Sequence, residues 1–255
     1  MKNFVIEVKC QTASFRNPDF QNFHKSLELP PPTTIIGLSG AALGYSPLQT
    51  QDFFDINEFS IGIYGIYEGK CKDTWKYNKR TNDAWKHRSW SKHPSLFKKK
   101  ENIDGSIIQK EFLIKSTFKI AFLSENQDAL SKLKKAFLNP TYALTMGNSD
   151  SLAFINNVES DLENIEHDEV ENCFVKGNVV SDVMSVAEKG NLNFSIYSND
   201  MLTYDLPIRF DYENDYGKRT ISKIETYSLI GNKMKVNFKL KGLKHNDHFI
   251  PIFTI

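Results

Sequence analysis

Hydrophobic and polar positions alternate with a period of two from the start of the chain. Phe4, Ile6, Val8 and Cys10 fall on one side and Val5, Glu7 and Lys9 on the other, which predicts a half-buried first strand. A polar loop, Thr12 to Phe20, leads to Leu29-Pro30-Pro31-Pro32-Thr33-Thr34-Ile35-Ile36-Gly37-Leu38-Ser39-Gly40-Ala41-Ala42-Leu43-Gly44. Three prolines stop any regular element, Thr33 or Thr34 is placed to cap a helix, and Gly44 marks its end. Glu58 to Glu68 reads as a second strand in which Gly62 and Gly65 mark a bulge or a close backbone approach. Phe112, Ile114, Phe118, Ile120 and Phe122 alternate with Lys115, Thr117 and Lys119 to give a third strand. Ser124 to Gln127 has the form of a capping box before a helix with Leu130, Leu133 and Phe137 on one face, stopped by Asn139-Pro140. Tyr142 to Met146 follows as a short fourth strand, and Gly147 to Ser151 as a loop of small residues.

The order strand, helix, strand, strand, helix, strand is that of an α+β, ferredoxin-like double split βαβ domain, placed at residues 1–157. From Glu159 to Glu171 the chain turns acidic, which reads as a solvated linker and the start of a second unit, residues 158–255. That smaller unit is β-rich. Ile221–Leu229 and Lys233–Leu240 flank Gly231-Asn232 as a tight hairpin, with Leu192–Tyr197 and Leu206–Phe210 as further strands.

On the first helix Gly37, Gly40, Ala41 and Gly44 recur at helical spacing, leaving one face nearly bare backbone. Each helical glycine costs roughly 1 kcal/mol relative to alanine, so the face needs a reason. Close packing is one; a thin sugar-phosphate strand crossing the helix is the other.

Composition adds little until it is taken locally. The formal charge of the 255 residues is +1, which does not by itself indicate a polyanion partner. Yet the segment from Gly69 to Lys110, far longer than an ordinary connection, concentrates cations: Lys70, Lys72, Lys76, Lys79, Arg80, Lys86, Arg88, Lys92, Lys98, Lys99, Lys100 and Lys110. Only Asp73, Asp83, Glu101 and Asp104 oppose them, and Trp75, Trp85 and Trp90 are all the tryptophans of the protein. Cations neutralise phosphates and interleaved rings stack on bases, at roughly 1–3 kcal/mol per base. A solvated basic loop whose tryptophans fold back onto the body is the alternative.

Three unpaired cysteines, Cys10, Cys71 and Cys173, fit a reducing compartment and give neither a disulfide framework nor a zinc site. The amino terminus does not resemble a signal peptide and no apolar run approaches a membrane span, so a cytoplasmic protein without membrane partners is expected. His87 and His93, each after a lysine, are the only arrangement suggestive of metal-free RNA cleavage, and they lack a fixed third group. His245 and His248 have no companion ligands. No catalytic residue, metal or cofactor is assigned.

Ala13-Ser14-Phe15-Arg16-Asn17-Pro18, the Pro30-to-Leu38 run continuing into Ala41-Ala42-Leu43-Gly44, and Pro140-Thr141-Tyr142-Ala143-Leu144-Thr145-Met146-Gly147 together resemble the CRISPR-associated RAMP family five (Cas-five), most closely its type I-B members. The resemblance covers about the first 150 residues. It implies an RRM-like RAMP core with a hairpin thumb inserted between the second and third strands, where residues 69–110 lie. It also implies a crRNA-binding structural subunit of a Cascade interference complex in antiviral defence. Such a subunit caps the 5′ handle, joins backbone (Cas-seven) and large (Cas-eight type) subunits, and meets target DNA only through the complex. Arg16, Thr33, Thr34, Gly37 and Gly40, with Gly147, Asn148 and Ser149, carry over as handle contacts. The thumb reading adds Trp75, Lys79, Arg80, Trp85, Lys86, Arg88, Trp90 and Lys92. Relatives place an arginine after the loop glycine; Asn148 stands there here, so a phosphate contact is either lost or replaced by an amide hydrogen bond. Some members process precursor RNA with a tyrosine, lysine and histidine set that does not align here. The expected role is therefore non-enzymatic, with metal-independent cleavage of repeats as the alternative.

Overall fold

The computed structural model describes residues 2–20, 23–78, 105–179, 181, 201–213 and 219–255. Its first part comprises β1 (Lys2–Ala13), β2 (Phe15–Arg16), β3 (Phe23–His24), β4 (Ser26–Leu27), α1 (Pro32–Leu43), α2 (Pro47–Ile56), β5 (Ser60–Ile66) and β6 (Gly69–Asn78). Then come β7 (Gly105–Ser124), α3 (Gln127–Leu138), β8 (Ala153–Ser160), β9 (Asn164–Val170) and β10 (Cys173–Lys176). The last strands are β11 (Met201–Tyr212), β12 (Arg219–Ile230), β13 (Met234–His245) and β14 (His248–Thr254). The chain is α+β, and strands dominate its described residues.

β7 organises the sheet. Its second half lies antiparallel between β1 and β5, and β1 takes β8 on its far side, giving the order β8–β1–β7–β5. Period-two positions of β1 (Phe4, Ile6, Val8) and β7 (Phe118, Ile120, Phe122) meet Leu130, Leu133 and Phe137 of α3 and Ile35, Leu38 and Ala42 of α1 in one apolar cluster. Phe4 stacks on Phe122 at 5.0 Å, and Phe137 approaches Phe122 to 5.4 Å. Such ring pairs add about 0.5–1.5 kcal/mol each beyond their buried area.

The first strand is not half-buried as expected. Phe4, Val5 and Ile6 are each at most 1% exposed. β13 and β14 form a hairpin, β14 pairs with β5, and Leu243 and Ile250 cover Val5, Ala121 and Leu123 on the sheet's other face. Gly62 and Gly65 of β5 serve close approach: a Cβ would collide with the Pro251 carbonyl at the first and with Phe118 and Leu29 at the second.

The first half of β7 pairs instead with β6, from Gly69↔Ile114 to Asn78↔Gly105, forming a hairpin stem. Lys115 sits at the changeover with φ +47°, a conformation uncommon for a side-chain-bearing residue. The third strand is thus longer than its apolar pattern suggested, because its first residues pair with β6 and, at Gln109 and Lys110, with β3, where rings and cations replace the apolar alternation.

Other expectations shift. The N-cap of α1 is Pro31 with no side-chain bond; Pro32 takes the first helical position, so Thr33 and Thr34 lie inside the helix. Gly44 ends it as expected, left-handed at φ 76°. α3 is capped by Asn126, whose side chain accepts from Asp128 and Ala129, because Ser124 is engaged with the Asn57 carbonyl. α2 was not expected, although Ser46 and Gln49 form a full capping box. Tyr142–Met146 is no strand: Thr141 and Tyr142 donate to Ala42 and Ala41 at the end of α1, and only Thr145 bridges to Leu152. The fourth strand is β8.

The acidic run is strand, not linker. Asp168 and Glu169 of β9 pair with Lys235 and Lys233, and Glu159 of β8 lies 3.3 Å from His245. The expected division at 157/158 falls inside β8, and β5 carries β14 and β10 from the later half. The Gly231-Asn232 turn joins strands that do not pair with each other: β12 lies between β10 and β11, and β13 between β9 and β14. Leu206–Phe210 lies within β11. Leu192–Tyr197 is outside the described residues.

Candidate nucleic-acid interface

Two motifs far apart in sequence meet at the exit of β1. Ser14 donates through its hydroxyl to the Glu111 carbonyl (2.8 Å) and through its amide to the Met146 carbonyl (3.3 Å). Gly147, at φ +90°, lies so close to the Ser14 carbonyl that any side chain would strike it, which explains glycine at this position. Met146 and Ser151 close the loop by an amide-to-carbonyl bond of 2.8 Å. Beyond Ser14 the chain forms the short β2–β4 ladder, Phe15↔Leu27 and Arg16↔Ser26, with the Arg16 side chain exposed. In the loop, the Asn148 side-chain nitrogen is shielded from solvent yet has no acceptor among the described residues. Ser149 is exposed and reaches only Asp150, at 3.5 Å.

Beside this corner, β3 runs parallel to the outer half of β7, setting Phe23 against Gln109 and His24 against Lys110. Cations here sit over rings. Lys25 is 5.4 Å from the Phe20 centroid, Lys72 is 5.1 Å from Phe23, and Lys110 is 3.8 Å from Trp75. Phe20 and Phe23 meet edge to face at 6.4 Å, and Trp75 stacks on Phe112 at 6.1 Å. Partial burial, then the charges of Arg16 and Lys110, hold the His24 imidazole below its ordinary pKa. Trp75 is not free to wedge: its indole N–H donates to Asp73 (2.8 Å) while Lys110 and Phe112 hold its ring. It is a fixed platform.

The cations Lys72 and Lys110 were visible in the basic segment, whereas Phe20, Phe23, His24 and Lys25 were missed. The signal was there in the Phe-x-x-Phe-His-Lys run, the same interleaving of rings and cations seen in the insertion. Lys79, Arg80, Trp85, Lys86, Arg88, Trp90 and Lys92, with His87 and His93, lie outside the described residues.

On α1 the glycines part company. A Cβ at Gly40 would run into Thr50 of α2, and one at Gly44 would press on Thr141, so packing accounts for both. Gly37 is exposed and has no such neighbour within 4 Å. Thr33 and Thr34 are half-buried in the first turn. α1 thus presents Thr33 and Gly37, not a continuous bare ridge.

Among the described residues no cluster of three or more His, Cys, Asp or Glu side chains has the makings of a metal site. His245 and His248 lie 3.3 and 3.5 Å from carboxylate oxygens of Glu159 and Glu171. Burial pushes the Cys10 thiol up to about 11 and raises that of Cys173 further, so neither is a ready nucleophile. Among the described residues no helix is long and apolar enough to cross a membrane.

A family model described as CRISPR-associated protein (Cas_Cas5) matches residues 4–223. The chain belongs to this CRISPR-associated family. Solved structures agree on the fold. One is a CRISPR RNA-guided surveillance complex chain, TM-score 0.54 at 11% identity, with 91% of this chain and 90% of that one covered. Another is a CRISPR protein from Archaeoglobus fulgidus, TM-score 0.50 at 11% identity, with both chains covered in full. No curated protein matches significantly.

Proposed function

We propose that this Cas_Cas5 family chain is the crRNA-binding structural subunit of a type I effector complex, of the I-B kind. It caps the 5′ handle and links backbone (Cas-seven) and large (Cas-eight type) subunits. The sheet order β8–β1–β7–β5 with α1 and α3 on one face supports a ferredoxin-like core, and the β6–β7 stem supports a thumb over residues 69–110. The mechanism is binding without chemistry. Arg16 and the cations at the stem neutralise phosphates, Phe20, Phe23 and Trp75 offer stacking surface, and the loop at Gly147 lets the backbone of the handle approach. The single observation carrying this is the meeting of the Gly147 loop with the Ser14–Arg16 turn beside the rings and cations of β3 and the stem, which gathers backbone, charge and stacking surface at one corner.

The test is the RNA that co-purifies with the tagged chain in its complex. The expected outcome is intact RNA beginning with repeat sequence, with Arg16→Ala and Asn148→Ala each losing about tenfold in affinity for handle RNA. Unchanged affinity in both variants would remove the reading. One observation favours cleavage instead: His24, held towards its neutral form between two cations, has the character of a base for a 2′-hydroxyl. Fragments with 5′-hydroxyl ends accumulating in the presence of chelator, and absent in His24→Ala, would replace the structural role with that one.

A further inference from the structure

Between α1, α2 and the β11–β12 pair lies a cavity of about 160 Å3. Its frame is fixed by protein contacts alone. The Gln51 amide exchanges two 3.0 Å hydrogen bonds with the Phe210 backbone, and Asp55 pairs with Arg209, so α2 is tied to β11. One wall is the first half of α1, with Thr33 and Gly37; the other is Ile208, Phe210, Tyr212 and Arg219. The Arg219 guanidinium stands 4.4 Å from the Phe210 ring centre.

Gly37 is the anomaly. It sits inside a helix, where glycine is the poorest former after proline, and neither a neighbour nor an unusual φ requires it. The contrast with Gly40 and Gly44, both explained by packing, points outside the chain for the reason: a side chain at 37 would project into the cavity. The space is that of a single ring system, for an apolar cavity of about 150 Å3 takes one benzene. Its chemistry is that of a ring carrying negative charge beside it. No carboxylate lines it, Arg219 supplies a cation with planar donors, and the amino-terminal end of the 12-residue α1 adds the positive pole of its dipole.

We propose that this cavity receives one unstacked nucleobase of the bound RNA. The base lies over Gly37 against the aromatic wall, and Arg219 takes the adjoining phosphate. The assignment rests on the RNA-binding reading above and adds to it a base-sized pocket built partly by β11 and β12, which the sequence motifs do not include.

The test is fluorescence anisotropy of the full chain with handle-length oligonucleotides carrying one abasic site at each position in turn. With the wild-type chain, one position is expected to lose about tenfold when its base is removed. In Gly37→Leu, which fills the pocket, intact RNA binds about tenfold more weakly and removal of that same base costs nothing more. Thermal denaturation of Gly37→Leu is expected at or above the wild-type temperature, showing that the loss is not misfolding. Arg219→Gln provides a second variant, expected to reduce the salt dependence of binding without abolishing the base preference. No binding by the wild-type chain would remove the RNA reading and this pocket with it. Wild-type binding with the same abasic profile in Gly37→Leu would overturn the pocket alone. So would a Gly37→Leu chain that keeps its RNA affinity but no longer retains a partner subunit, since the pocket would then hold a protein anchor.

Discussion

One strand passes through two environments. From Thr117 to Leu123, β7 is hydrogen-bonded on both edges, and Phe118, Ile120 and Phe122 are fully buried. From Gly105 to Ile114 its partners are β6 and, at Gln109 and Lys110, β3, and around the buried Lys110 rings and cations face one another. The inner half satisfies itself: apolar atoms meet apolar atoms and nothing further is needed. The outer half gathers positive charge held over rings, with Lys110 buried against Trp75 and Lys72 of β6 exposed over Phe23. On the proposed reading, stability and binding are separated along a single element, which makes them separable by substitution.

The largest effect belongs to the inner half. Phe122 touches Phe4, Phe54 and Phe137, and its removal opens a cavity between sheet and helices that rigid neighbours cannot close. Phe122→Ala is expected to cost about 3–5 kcal/mol in urea denaturation, with RNA affinity per folded molecule unchanged. A loss below about 1 kcal/mol would mean that this half of the strand is not the core.

The outer half reverses the pattern. Lys72 is exposed and touches the Phe23 ring, so Lys72→Ala is expected to move stability by no more than about 0.5 kcal/mol. What should change is the salt dependence of RNA binding, whose logarithmic slope falls by about 0.7 for each single-strand phosphate contact removed. An unaltered slope with altered stability would put Lys72 in the fold, not in the interface, and erase the distinction between the halves.

How much of this was legible follows the same division. The inner half, β1 and α3 were readable because burial on a sheet or helix face imposes a period, and Phe4, Phe118 and Leu133 show it. The later strands were misassigned because their partners are set by long-range pairing: the turn at Gly231-Asn232 has hairpin chemistry, yet β10 and β9 occupy the edges that such a hairpin would need. α2 was missed although Ser46-Pro47-Leu48-Gln49 spells its cap, since Thr50 and Phe54 are its only buried residues and leave a weak stripe. The candidate interface was half visible. Gly147 and Arg16 stood in recognisable motifs, but their meeting at Ser14 depends on a loop-to-loop contact with no local signature. The β3 rings lie in a stretch with no period, and only tertiary pairing to Gln109 and Lys110 gives them a role.

The smallest effect tests whether the outer cluster faces a polyanion. His24 is held below its ordinary pKa first by partial burial and then by Arg16 and Lys110, so the free folded chain resists its protonation. Its contribution to stability is therefore present above about pH 6.5 and is lost as pH falls, because the unfolded chain takes up the proton first. A phosphate laid between the same two cations reverses the balance, favouring the charged imidazole. RNA binding should then take up a proton, and affinity should rise as pH falls from 7.5 to 6, the opposite sign to stability. His24→Gln should flatten the affinity profile. Its stability should still fall in acid, because His245 is also held below its ordinary value, by burial and then by Lys119 against the opposing pull of Glu159 and Glu7. Calorimetric titration in two buffers of different ionisation enthalpy measures the proton directly. No uptake by the wild-type chain would place the RNA away from His24 and leave the ring-and-cation cluster as surface.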